Sequence, residues 1–152
     1  MLIGIISDTH GLLRPQAVDV LQGSELVIHA GDIGSADVVE RLSNIAPVVA
    51  IRGNVDTGEW AEKFPAEEVI KVHGRHLYVL HNLNEIDLDP AAAGFDVVIS
   101  GHSHKPLINK KDGVLYVNPG SAGPRRFKLP VAVAMLRVTS EDIQARIREL
   151  IV

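Results

Sequence analysis

The chain has 152 residues, 46% apolar and 22% charged, the size and balance of an ordinary folded domain with a sizeable core. Its formal net charge of −4 argues against a sequence-independent duplex binder, which needs a basic face to release counterions. Cysteine is absent, which excludes disulfide partners and thiolate metal sites, so any metal falls to His, Asp, Glu or Asn.

The opening Leu2-Ile3-Gly4-Ile5-Ile6 reads as a strand buried on both faces, and it stops at the polar loop Ser7-Asp8-Thr9-His10-Gly11. No basic segment precedes it and no apolar run reaches the length of a membrane span, so neither a signal peptide nor a membrane partner is expected. The expected address is the cytoplasm. Pro15 suits the first turn of a helix that ends at Gly23. A second strand, Leu26-Val27-Ile28, ends in Gly31-Asp32. Ser35 and Asp37 are plausible caps for a helix carrying Val38, Val39 and Leu42. A third strand, Val48 to Ile51, ends in Gly53-Asn54, which completes a β-α-β-α-β alternation and predicts a mainly parallel sheet.

Further on, Glu68 to Val72 and His76 to Leu80 predict two strands joined at His73-Gly74. Val97-Val98-Ile99 is another buried strand, ending at Gly101-His102. Leu107-Ile108, Val114 to Val117 and Val131 to Val138 are strand-like, and the tail from Ile143 to Ile151 is open to a strand or a short helix. This half has more antiparallel character, so two packed sheets with helices outside fit better than one open sheet. One domain over residues 1–152 is expected. Exposed hairpin edges make a homodimer an open option.

The polar residues at the strand ends carry the chemistry. Asp8 and His10 follow the first strand, Asp32 the second, Asn54 the third, His81 the run Leu77 to Leu80, and His102 and His104 the run Val97 to Ile99. In α/β sheets that edge is where sites assemble. Any of these residues alone has a plainer explanation: a helix cap for the aspartates, a turn for Asn54, a satisfied imidazole for His81. Together they exceed what one four-coordinate ion needs and suit two ions sharing a carboxylate. Asp32 is the natural bridge, because its strand neighbours the one bearing Asp8 and His10. A water between such ions loses its proton near neutral pH and becomes a nucleophile.

In order, Asp8-x-His10, Gly31-Asp32, Gly53-Asn54, His81 and Gly101-His102-Ser103-His104 resemble the calcineurin-like metallophosphoesterases, and Asn118-Pro119-Gly120-Ser121 resembles their small phosphodiesterase-like members. The resemblance implies an α/β fold, a four-layer αββα sandwich of two mixed sheets with helices on the outer faces. It implies one metal held by Asp8, His10, Asp32 and His104, and a second by Asp32, Asn54, His81 and His102. A hydroxide between the metals then attacks a small phosphate ester in line. Manganese is the first expectation, with nickel, iron, zinc or cobalt suiting the same donors. Asp32, Asn54 and Asp56 are expected in catalysis, and Asn54, Arg125 and Arg126 at the substrate.

Two departures from the family pattern stand out. Larger relatives follow Gly-Asn with a His thought to protonate the leaving group or steady the transition state; here Val55 stands there, although Asp56 keeps the acidic position after it. Loss of a general acid costs about 10²–10⁴-fold and predicts a preference for good leaving groups. Close relatives also read His-Gly-His where this chain has His81-Asn82-Leu83. His29 reads as a packed or supporting histidine, Trp60 and Phe64 as a packing pair, and neither Ser7 nor Ser121 sits in a nucleophile elbow. The competing reading is a protein-interaction scaffold, since the fold resembles a retromer subunit. The intact donor set favours catalysis, because buried carboxylates without a metal repel.

Overall fold

The structure is a computed structural model describing residues 1–152. The chain forms β1 (Leu2–Ile6), α1 (Pro15–Leu21), β2 (Leu26–His29), α2 (Ala36–Leu42), β3 (Val48–Ala50), β4 (Glu67–Val72), β5 (Arg75–Leu80), β6 (Val97–Ile99), β7 (Leu107–Lys111), β8 (Val114–Asn118), β9 (Ala132–Val138) and β10 (Ile143–Glu149), with 3-10 turns at Glu59–Ala61 and Leu83–Glu85. No helix is long and apolar enough to cross a membrane.

Two five-stranded mixed sheets result, ordered β10-β9-β1-β2-β3 and β4-β5-β6-β8-β7. They do not divide the chain into halves. The last two strands return to the first sheet, where β9 runs antiparallel to β1 with Gly4 opposite Met135. The tail is therefore a strand. Ile143, Ala145 and Ile147 pack toward the inter-sheet core while Gln144, Arg146 and Arg148 are exposed, the period-2 pattern of an edge strand buried on one face.

Between the sheets, Ile3, Ile5 and Ile28 meet Leu77, Val79 and Ile99, all fully buried. Burying each such side chain contributes about 1.5–3 kcal/mol relative to exposure. On the outer face of the first sheet, Ala17 and Leu21 of α1 and Val38 and Leu42 of α2 pack with Ile6, Val27 and Val133. Pro15 opens α1 as expected, and Ser35 occupies the N-cap of α2 without a side-chain capping bond. The second sheet's outer face is covered thinly. Leu83, Ile86 and Phe95 lie over Tyr78, Leu80 and Val98, with Phe95 stacked on Tyr78 at 4.9 Å. The αββα sandwich thus has a fourth layer made of a 3-10 turn and loop. Trp60 and Phe64 pack edge to face at 6.3 Å.

Candidate metal centre

β1, β2 and β3 are parallel and end on one edge of their sheet; β5, β6 and β8 do the same in the other. Hydrogen bonds tie the two edges together. His81 Nδ1 lies 2.7 Å from the Ala30 carbonyl, and the His102 N–H donates to Asp8 Oδ2 at 3.1 Å. The first of these places the His81 proton on Nδ1 and turns Nε2 inward, the usual way a metal-binding imidazole is oriented.

The structure brings the expected donors into two clusters. Asp8, His10 and His104 form one; Asp32, His81 and His102 form the other, with the ligand atoms of each within 4.8 Å of one another. Asp32 lies between them: its Oδ2 is 3.2 Å from His81 Nε2 and 3.7 Å from His10 Nε2. Asp8 Oδ1 is 3.5 Å from His104 Nε2 and 3.8 Å from His81 Nε2. Asn54 is exposed at the rim, on a cavity of about 230 Å³ that it shares with Arg52, His81 and Asn82.

The backbone here is bent out of its ordinary range. Asp8, His10, Asp32, His102 and His104 all have left-handed φ, between 47° and 71°. Such residues cost about 1–3 kcal/mol each and persist only where surrounding structure enforces them. Glycine permits the close approaches this requires. Gly31, at φ 100°, leaves no room for a Cβ, which would stand 2.6 Å from His81 Nδ1. A Cβ on Gly53 would run into the Asp32 carboxylate.

Burial pushes the Asp8 carboxyl up, against the pull of His81, Ser7 and His104. Burial also works to raise Asp32, but the His81 ring, the Val55 N–H and the His10 charge override it and hold Asp32 at about 2. His81 is raised: burial opposes its charge, and Asp32, the Ala30 carbonyl and Asp8 outweigh it. His104 is lowered by burial, helped by the charge of Arg126 and opposed by Asp8.

A divalent cation fits this arrangement. Asp8 Oδ1 and His10 Nε2 are buried and lack a hydrogen-bond partner, and His81 Nε2, 3.2 Å from Asp32 Oδ2, has one only when its ring is protonated. A buried polar atom left so costs about 1–3 kcal/mol. Such atoms on the donors of two adjacent clusters are explained at once by a cation among them. The nitrogen and oxygen set suits first-row transition ions.

Asp56 is buried and held by backbone amides. Its Oδ2 accepts from the N–H groups of Ile33 (3.0 Å) and Gly53 (2.8 Å), and its Oδ1 from Gly34 (2.9 Å). Both oxygens are thus engaged by backbone, and Asp56 pins the loops bearing Asp32 and Asn54. His29 is fully buried and does support the site: its Nδ1 accepts from the Gly31 N–H and its Nε2 meets Thr9 Oγ1. Burial drives its pKa down to about 3, so it is neutral.

Three further supports went unassigned in the sequence. Ser7 donates to Asp8 Oδ2 at 2.8 Å, Ser121 donates to the Asp8 carbonyl at 3.1 Å, and Asn118 donates to the Gly101 carbonyl at 3.0 Å. The Asn118-Pro119-Gly120-Ser121 run was the available signal, and it marks scaffolding beneath the donors. Arg125 and Arg126 are both exposed; the charge of Arg126 reaches His104, and no contact draws Arg125 to the centre.

The calcineurin-like phosphoesterase superfamily domain matches residues 1–141. A probable metallophosphoesterase of Methanothermobacter thermautotrophicus is 33% identical over 97% of this chain and 91% of its own length. A phosphodiesterase of Methanocaldococcus jannaschii is 32% identical, covering 79% of this chain and 83% of that protein. Among solved structures, a novel archaeal phosphodiesterase superposes with a TM-score of 0.80 at 25% identity, over 97% of this chain and 100% of its own. A Vps29 from Entamoeba histolytica complexed with zinc gives a TM-score of 0.77 at 20% identity over 98% and 99% of the two chains, a likeness of fold alone. The chain belongs to the calcineurin-like phosphoesterase superfamily and is a phosphoric ester hydrolase.

Proposed function

We propose that this calcineurin-like phosphoesterase hydrolyses phosphodiesters with two divalent cations, one held by Asp8, His10, Asp32 and His104 and the other by Asp32, Asn54, His81 and His102. The observation that carries the reading is the pair of His/Asp clusters whose buried, unpartnered donor atoms converge around Asp32. Bound there, two cations would supply charge against the phosphoryl oxygens and lower the pKa of a bound water. Manganese is the first choice of ion.

The chain's own groups set the rest. His81 donates to the Ala30 carbonyl and keeps Nε2 free as a donor. Asn54, at the rim, offers a neutral amide to the ion and to substrate oxygen without adding charge. Arg126, whose charge reaches His104, is the cation available to a bound phosphate. Val55 is 48% exposed and brings no proton to the leaving group. Diesters with good leaving groups are therefore favoured over alkyl monoesters.

A scaffold role, which the Vps29 likeness raises, leaves the buried Asp8 and Asp32 carboxylates without a purpose; the complete donor set supports turnover. The test is a metal panel on bis(p-nitrophenyl) phosphate, p-nitrophenyl phosphate and an alkyl monoester, alongside elemental analysis. Asp32→Asn is expected to abolish turnover and weaken both ions by more than about 100-fold, above the effect of losing a supporting partner. Wild-type activity in Asp32→Asn, or no bound transition ion after reconstitution, overturns the reading.

A further inference from the structure

The loop between Ser121 and Val131 is closed at its neck and fixed to the metal centre. Ser121 and Val131 form a β-bridge, and the Ala132 N–H donates to the Ser121 carbonyl at 3.0 Å. The Ala122 N–H donates to the Ser7 carbonyl at 3.0 Å, and Arg14 holds the Gly123 carbonyl at 3.2 Å. Gly123 lies so close to the Asp8 and Thr9 carbonyls that no Cβ fits between.

At the tip, the Leu129 N–H donates to the Arg126 carbonyl at 3.1 Å and closes a β-turn. Its second residue is Phe127, with φ 54°, a position that ordinarily takes glycine. Phe127 is also 89% exposed, in a loop, while the other comparably exposed large apolar residue, Ile151, lies at the C-terminus. The fold gains nothing from this ring: it is held in a strained backbone and left in water. Chain reach keeps Phe127 within about 14 Å of Gly123, four residues earlier. The preceding residue is Arg126, whose charge reaches the metal-side histidine His104.

We propose that Phe127 is a specificity-determining residue, a stacking platform for a planar aromatic group carried by the phosphodiester, the nucleobase being the common biological group of that chemistry. The proposal rests on the phosphodiester reading above and assigns its substrate class. Arg126 meets the phosphate on one side of the turn, and Phe127 offers its face to the ring that follows. A base–aromatic contact tolerates any base, because every base has a π-face. An exposed ring on a turn anchored under Asp8 is placed for that contact and has no packing partner to lose.

The test uses the manganese-loaded protein and calorimetric titration with thymidine 5′-monophosphate and with ribose 5-phosphate, which carries the phosphate and no base. Phe127→Ala is expected to weaken the first about tenfold and the second less than about twofold. Phe127→Trp retains thymidine 5′-monophosphate binding. Phe127→Gly loses it and raises Tm by relieving the turn, whereas a structural role for the ring lowers Tm. Equal weakening of both ligands, no change in either, or no binding of thymidine 5′-monophosphate overturns the proposal. So does loss of phosphatidylglycerol-vesicle binding in Phe127→Ala with an unchanged ligand ratio, which marks a membrane-seeking loop. A wild-type chain that binds with this base dependence yet hydrolyses no diester sinks the phosphodiester reading and leaves the platform standing.

Discussion

His29 Nε2 lies 2.9 Å from Thr9 Oγ1, so one buried imidazole fixes the residue between Asp8 and His10. Because the Gly31 N–H occupies Nδ1, the ring proton is on Nε2 and donates to Thr9 Oγ1, whose hydroxyl in turn donates a hydrogen bond to the Ile33 carbonyl at 2.8 Å. A single neutral ring thereby spans the loops after β1 and β2.

Replacing that ring tests the link. His29→Leu strands the Gly31 N–H and is expected to destabilise the fold by about 1–3 kcal/mol. Metal affinity falls about 10–100-fold, as for loss of a supporting partner. The pH dependence changes too. His29 has a folded pKa of about 3 against an ordinary 6.5, so the unfolded chain binds the extra proton and stability falls as pH drops through that window. Thermal unfolding across pH 3–7 should show a shallower acid loss in the variant; an unchanged slope contradicts it.

Asp56 separates positioning from catalysis. Asp56→Ala leaves the N–H groups of Ile33, Gly34 and Gly53 without their carboxylate. The expected stability loss is about 3 kcal/mol or more, since each stranded donor costs about 1–3 kcal/mol. Activity should return at high metal concentration. If saturating metal leaves kcat depressed by orders of magnitude, Asp56 acts in the chemical step after all.

Asp8 opposes stability in the metal-free chain. Its side chain is fully buried, one oxygen is unpartnered, and burial raises its pKa, so holding it ionised at neutral pH works against folding. Asp8→Asn is expected to raise the metal-free Tm by about 2–4 °C, the shift of about 1 kcal/mol in a chain this size. Metal binding is lost in the same variant. A lower metal-free Tm contradicts the assignment.

Metal competes with the proton on His81. In the metal-free protein the raised His81 stabilises the fold below its ordinary 6.5 and loses that contribution as pH rises through its folded value. Asp32, lowered to about 2, contributes above its ordinary 3.8 and loses it as pH falls toward 2. Their ion pair therefore supports the metal-free fold between roughly pH 4 and 6.5. Metal needs the unprotonated ring, so the Tm gain on adding manganese should be larger at pH 8 than at pH 6, with protons released on binding. An equal gain at both values contradicts the His81 assignment.

Particular residues show how much of this was legible in advance. Asp8, Asp32 and Asn54 each sit where an apolar run breaks at or near glycine, and the strand ends also carry the six His and Asp side chains that the structure brings together. The role of Asp56 was not legible, because its partners are backbone amides, three to twenty-three positions away, that carry no residue identity. The tail was ambiguous for a related reason: Ile143, Ala145 and Ile147 alternate too weakly to declare a strand until β9 supplies the ladder.

Residue type and order by themselves determined the elements, the donor set and its place at strand ends, since these follow from local periodicity and from which side chains can bind a cation. Tertiary structure alone decided that β9 and β10 close onto β1 and that Phe127 stands in water on its turn. Those facts come from long-range strand pairing and from backbone held at positive φ, both of which depend on contacts between residues more than a hundred positions apart, such as Ser121 with Asp8.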